Sequence, residues 1–131
     1  MGFITSIRVC FSKFFTFSGR GSRREYWWFA FFALIVFVFT APYHQFSFPV
    51  WFVLFFPGLA AGSRRLHDTG KSGWWQLIWL IPLIGWIILL LLLIGKPEEG
   101  PNKYGPPLNA DGMVDEDNQD RNNLRKIAYK K

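Results

Sequence analysis

The feature that most constrains this chain is a pair of long stretches without one ionised side chain: Tyr26 to Ser63, 38 residues, and Trp74 to Gly95, 22 residues. Together they hold 60 of the 131 positions, and the second contains eight consecutive aliphatic residues, Ile87 to Ile94. The overall apolar content of 50% would suit an ordinary soluble protein, so the distribution rather than the average carries the information. Apolar surface concentrated in this way excludes a soluble monomer.

A helix crossing a hydrocarbon core of about 30 Å needs about 20 residues at about 1.5 Å rise each. The second block therefore predicts one span over 74–95. The first block is too long for one span and barely enough for two, which predicts a hairpin of short helices over 24–41 and 46–63. The turn between them is Pro42-Tyr43-His44-Gln45, where proline meets the most polar residues of the block. Pro57-Gly58 and Pro82 are expected to bend their helices.

Ahead of the first span, Phe3, Ile7, Cys10, Phe11, Phe14 and Phe15 recur at helical spacing, with Thr5, Ser6, Arg8, Ser12 and Lys13 on the other side. This predicts an amphipathic helix over 3–18 lying in the membrane interface. A signal peptide fits poorly, because the basic residues follow the apolar stretch and no small-residue cleavage site appears. After Lys96 the chain becomes rich in proline and glycine, then in Asp, Asn and Gln, a composition that cannot bury a core. The expected organisation is thus an all-α, polytopic membrane domain over 1–107, with about three spans. A disordered tail over 108–131 follows, with at most a short helix near 123–130.

Lys and Arg counts near the span ends set the orientation, since acidic residues contribute little to that rule. The amino-terminal flank has five, the segment 64–73 has three, and the turn around His44 has none. These counts place the N-terminus and the Arg64 segment in the cytoplasm, and with three spans they place the tail outside; a re-entrant bend at Pro82 would reverse the tail's side. The one cysteine, Cys10, excludes an internal disulfide, a CxxC pair and a multi-cysteine metal site.

Two stretches share one logic: Ser22-Arg23-Arg24-Glu25-Tyr26-Trp27-Trp28, and Ser63-Arg64-Arg65-Leu66-His67-Asp68-Thr69-Gly70-Lys71-Ser72-Gly73-Trp74-Trp75. Each sets paired arginines beside a Trp-Trp step that enters the membrane. The plain explanation is an anchor, with Trp27, Trp28, Trp74 and Trp75 at the headgroup layer and guanidinium groups on lipid phosphates. An anchor does not require His67, Asp68, Lys71 and two glycines within ten residues, however. If both lips face one side, Glu25 is expected to pair with the Arg64/Arg65 lip, and Asp68 with the lip of Arg20, Arg23 and Arg24.

Sharper motifs fail on inspection. Gly70-Lys71-Ser72 lacks the glycine of a phosphate loop, since Arg65 stands five positions earlier. His44 and His67 are assigned to opposite faces, so no metal site follows. Catalysis through His67 and Asp68 would need neighbouring side chains to converge, which adjacency on a helix opposes. A pore would need polar residues within the spans, and these offer almost none.

The blocks Gly19-Arg20 with Ser22 to Trp27, Arg64 to Trp75, and Gly100-Pro101-Asn102-Lys103-Tyr104-Gly105 resemble, in this order, the signatures of the bacterial family catalogued as domain of unknown function 805, the YhaH-like inner-membrane proteins. The resemblance covers about residues 14–107 and implies a small polytopic protein of the bacterial inner membrane. It implies no substrate, activity or cofactor. It marks Gly19, Glu25, Tyr26, Gly70, Ser72, Gly73, Asn102, Tyr104 and Gly105 as motif residues without assigned roles. If the Gly100 block meets the arginine motif, the last apolar segment must end on the cytoplasmic side, against the counting rule above.

The expected function is a non-catalytic interaction or scaffold module. Its lips, formed by Arg20, Arg23, Arg24, Arg64, Arg65, His67, Asp68 and Lys71, engage anionic lipid headgroups or a membrane-protein partner, including a second copy. The rivals are a subunit of an oligomeric transporter or channel, and an interfacial lipid-modifying enzyme. Neither nucleic acid, metal nor cofactor is indicated.

Overall fold

A computed structural model describes residues 2–109 and 112–130. Five α-helices follow one another: α1 (Phe3–Ser12), α2 (Arg23–Thr40), α3 (His44–Asp68), α4 (Ile84–Ile94) and α5 (Glu116–Lys130), with a 3-10 helix, Gly73–Leu80, between α3 and α4. The described residues contain no strand beyond two isolated bridges, so the all-helical expectation is met.

Local chemistry explains where the helices begin and end. Ser22 caps α2 by accepting from the Glu25 amide, in a Ser-x-x-Glu arrangement that puts a carboxylate in the positive first turn. Helix α3 closes with a Schellman pair: the Gly70 amide donates to the His67 carbonyl at 3.0 Å, and the Lys71 amide to the Leu66 carbonyl at 2.8 Å. Gly70 takes the left-handed φ of +80° that this termination requires. Ser72 then caps the 3-10 helix through the Trp74 amide.

Helices α2 and α3 form an antiparallel hairpin about the short turn at Ala41–Tyr43. Cys10, Phe29, Leu54 and Ala61 make its buried core, flanked by Phe11, Tyr26, Phe32, Ala33, Val36 and Val50. The apolar side of α1 packs on this hairpin: Phe3 meets Trp28, Phe31 and Phe32 edge-on, and Phe11 meets Phe29 and Phe32. The expected interfacial helix over 3–18 is therefore shorter, and protein receives much of its apolar face.

Three further expectations are corrected. The second hairpin helix does not stop at Ser63 but runs through Pro49 and Pro57 to Asp68, so the paired arginines lie on helix rather than loop. The helix continues because each charge on its last two turns finds an internal partner, described below. Among the described residues it is the one helix long and apolar enough to cross a membrane. In α2, Arg23, Arg24 and Glu25 leave a shorter apolar stretch.

The 74–95 block is not one helix. Pro82 has no amide to continue the ladder, Leu83 adopts a left-handed φ of 63°, and the chain reverses. The two arms lie side by side, with Gly85 so close to the Ile78 carbonyl that a Cβ would sit 1.8 Å from its oxygen. Trp86 donates from its indole to the Trp79 carbonyl at 2.9 Å, satisfying a group that the irregular helix leaves open. By rise per residue the arms measure only about 16 Å each. Gly73 abuts Ser63 and Gly95 lies near Thr69, so both arms start and finish at the same end of α3. The tail thus leaves from the arginine end, not from the opposite end as the counting rule suggested.

The third correction concerns the tail, where α5 replaces most of the expected disorder. The Asp115 carboxylate accepts from the Asn118 amide at 3.1 Å, Glu116 and Asp117 occupy the first turn, and Lys130 the last. Capping and the helix dipole, rather than burial, hold it.

Candidate functional site

The three signature blocks converge where α2 starts and α3 and α4 end. Gly21 makes the closest backbone approach: its amide donates to the Arg64 carbonyl at 2.8 Å, and a Cβ there would lie 3.1 Å from that of Arg64. Around this junction Arg20, Glu25, Arg64, Arg65 and Asp68 are all buried, each no more than 5% exposed.

Asp68 is the hub. One carboxylate oxygen lies 2.8 Å from Arg20 Nε and the other 2.8 Å from Arg65 Nη1. Arg20 spends its remaining donors on carbonyls, those of Asp68 and Glu98 from Nη2 and those of Gly100 and Gly105 from Nη1. Arg65 donates from Nε to the Leu93 carbonyl at 3.0 Å and from Nη2 to that of Gly95, so it caps the end of α4. Arg64 Nη2 lies 2.8 Å from Glu25 Oε1. That contact is close but poorly aligned, and it leaves Arg64 Nε, Nη1 and Nη2 and Glu25 Oε1 without a directed hydrogen bond.

Three guanidinium groups face two carboxylates, an excess of one positive charge in a buried place. The negative ends of α3 and α4 both point at it, and a helix C-terminus carries about −0.5 charge. Two such ends offset the excess, which explains why Arg20 and Arg65 sit on terminal carbonyls rather than on further acids.

The third block closes the knot. The Asn102 amide donates to the His67 carbonyl at 2.9 Å, while its oxygen accepts from the Tyr104 amide at 2.9 Å. The Tyr104 ring stacks on the His67 ring at 3.8 Å, almost parallel, with Lys103 Nζ 5.1 Å from the tyrosine centroid. His67 Nδ1 lies 2.8 Å from the Gly19 carbonyl, so that nitrogen carries the proton. Gly19 reaches this position with a left-handed φ of +87°.

The expected lip pairing is present: Glu25 meets Arg64, and Asp68 meets Arg20. His67 and Asp68 face different partners and form no dyad. The remaining basic candidates divide differently. Arg23, Arg24 and Lys71 are exposed, whereas Arg20, Arg64 and Arg65 are buried. Trp74, 79% exposed, Trp75 and Trp28 are exposed, and Trp27 is half-buried. Beside the knot lies a cleft of about 310 Å³ lined by Ser22, Arg23, Arg24, Asp68, Pro97, Leu108 and Asn109. Among the described residues no group of three or more His, Cys, Asp or Glu is placed to hold a metal ion. Burial pushes the Cys10 thiol up to about 12, with the Glu25 carboxylate adding to the shift.

Several structural residues were overlooked in the sequence. Gln76 donates to Ser63 Oγ at 2.7 Å and to the Leu59 carbonyl at 3.1 Å, pinning the 3-10 arm to α3. A lone amide in an apolar block was its only signal. Glu98 donates its backbone amide to the Asp68 carbonyl at 2.8 Å, which no side-chain pattern reveals.

The model of the family described as "Protein of unknown function (DUF805)" matches residues 14–106. The Escherichia coli K12 protein named "Inner membrane protein YhaI" is 37% identical, with 68% of this chain and 82% of that protein covered. "Inner membrane protein YhaH" of the same strain is 36% identical, covering 69% and 84%. No solved structure matches the chain.

Proposed function

This chain belongs to the DUF805 family, relatives of which are named inner-membrane proteins, and we propose that it is a non-catalytic membrane scaffold that engages anionic lipid headgroups from its cytoplasmic end. In this reading α2 and α3 cross the bilayer as a hairpin. The 3-10 helix and α4 enter as a re-entrant pair and return to the same side. The basic end faces the cytoplasm, since Arg8, Lys13, Arg20, Arg23, Arg24, Arg64, Arg65, Lys71, Lys96 and Lys103 all belong to segments at that end, and the Ala41–Tyr43 turn has no Lys or Arg.

The observation that carries the proposal is the division of the arginines. Arg20, Arg64 and Arg65 lock the fold and are unavailable to a ligand, whereas Arg23, Arg24 and Lys71 remain exposed around the knot. Such cations attract anionic lipid by about 1 kcal/mol each near a charged surface. The aromatic side chains that flank them, Trp28, Trp74 and Trp75, suit the headgroup layer.

Native mass spectrometry of the detergent-purified protein tests this. The wild type is expected to retain phosphatidylglycerol, and the Arg23→Gln/Arg24→Gln variant to lose most of it while remaining folded. Equal retention by both would end the lipid reading. A defined oligomer without bound lipid would favour a channel or assembly subunit.

A further inference from the structure

Helix α5 lies beyond the residues that match the family, and the signature blocks give it no task. Its charges are sorted along its length. Glu116, Asp117 and Asp120 stand at the start, whereas Arg121 to Lys130 contains four cations, Arg121, Arg125, Lys126 and Lys130, and no acid. One side of the helix faces the body of the protein: Asn118, Arg121 and Arg125 line a small cavity with Glu99, and the Asn122 amide lies 3.3 Å from where a Gly100 Cβ would be. Another side carries Leu124 and Ile127, 66% and 57% exposed, one turn apart and covered by no other described residue.

We infer that the basic half of α5 is a membrane-surface helix that docks on the anionic leaflet. Leu124 and Ile127 dip into the interface, and the neighbouring Lys126 and Lys130 contact lipid phosphates. Charge complementarity selects this occupant: an aliphatic step bordered by Lys126 and Lys130, with Arg121 and Arg125 on the side that shares a cavity with Glu99, fits a surface that is negative above and apolar below. Position supports it as well, because the reversal at Pro82 and Leu83 brings the tail out at the same end as the exposed Arg23, Arg24 and Lys71. The acidic first turns keep the start of the helix off the surface, so that it meets the lipid at its far end. This inference rests on the proposal that the basic end faces anionic lipid.

The test uses the full chain in vesicles. Ala128→Cys is labelled with an environment-sensitive nitrobenzoxadiazole; Cys10, buried and with its thiol at about 12, stays unlabelled. In vesicles containing phosphatidylglycerol the emission is expected to brighten and shift to the blue, relative to phosphatidylcholine alone. The shift should shrink in 1 M salt, where the screening length falls to about 3 Å. It should vanish with Ile127→Glu, a change on an exposed side chain that leaves the fold intact. Identical, water-like emission in both vesicles would overturn the inference. So would an equal blue shift in both vesicles, which would mean packing on the chain itself, or one that follows protein concentration, which would mean a second copy. If phosphatidylglycerol still co-purifies with the wild type in those cases, only the role of α5 falls. If it does not, the lipid reading falls with it.

Discussion

Replacing Asp68 with asparagine is the most direct probe of the knot. The side chain is 2% exposed, and its two oxygens each lie 2.8 Å from a different guanidinium, those of Arg20 and Arg65. Asparagine preserves the shape and one acceptor, but it turns the other oxygen into an NH2 group that faces a donor. The buried excess of positive charge rises from one to two, while the two helix ends still offer only about one negative charge between them. Breaking a buried pair from one side costs about 3–5 kcal/mol, because the partner charge is left behind in a place without water. With the scaling of small domains, that is a fall in Tm of about 10–25 °C. Thermal unfolding in detergent, followed by tryptophan emission, measures it. Arg23→Gln is the control, since an exposed charge is worth less than about 1 kcal/mol. The loss should also be local: the segment after α4 is tied down through Arg65 and Arg20, so trypsin should cut after Lys103 faster in the variant. Removing Arg20 as well should cost less than the sum of the single changes, as groups sharing one network do. If Asp68→Asn and Arg23→Gln shift the midpoint equally, the reasoning from buried charge is wrong.

Other consequences are smaller or more local. Gly85→Ala places a methyl group 1.8 Å from the Ile78 carbonyl oxygen, a backbone atom that cannot step aside; the arms must part, with a loss of about 1–3 kcal/mol in the same unfolding assay. Tyr104→Ala removes the ring stacked on His67 and should cost about 0.5–1.5 kcal/mol, whereas Tyr104→Phe keeps the stack and should remain near wild type. Cys10 should resist maleimide in the folded protein near neutral pH and react only as the chain unfolds, because burial holds it as the thiol; rapid labelling of the native state would contradict the packing of α1 on α2. With the basic end in the cytoplasm, as proposed, a reporter that fluoresces only there should light up when fused after Lys131; a dark fusion with normal protein levels would mean that the last apolar block crosses or that the basic end faces the other way.

Much of this fold was legible because apolar blocks and helix periodicity are local properties of the chain. The α2–α3 hairpin follows from the length of the charge-free block, and its first helix, Arg23–Thr40, falls within a residue of the boundaries expected. The Glu25 and Asp68 pairing was legible too, because two lone acids beside five arginines have few other ways to be buried. The reversal at Pro82 was legible only as an alternative, since a block of 22 apolar residues fits one full span as well as two half-length arms. The end of α3 at Asp68 was not legible: ionised side chains look like a loop until their partners are known.

The sequence by itself determined that this chain is helical, that it has too much clustered apolar surface to be a soluble monomer, and that its charges gather at a few lips. These conclusions depend only on which residues are near one another along the chain. Tertiary structure alone decided which arginines are structural and which are exposed. It also decided that the tail leaves from the same end as the arginines. Both depend on groups far apart in sequence: Arg65 reaches the Leu93 and Gly95 carbonyls, and Arg20 reaches those of Glu98 and Gly100. A guanidinium group seeks acceptors wherever folding brings them, and backbone carbonyls leave no mark in the sequence.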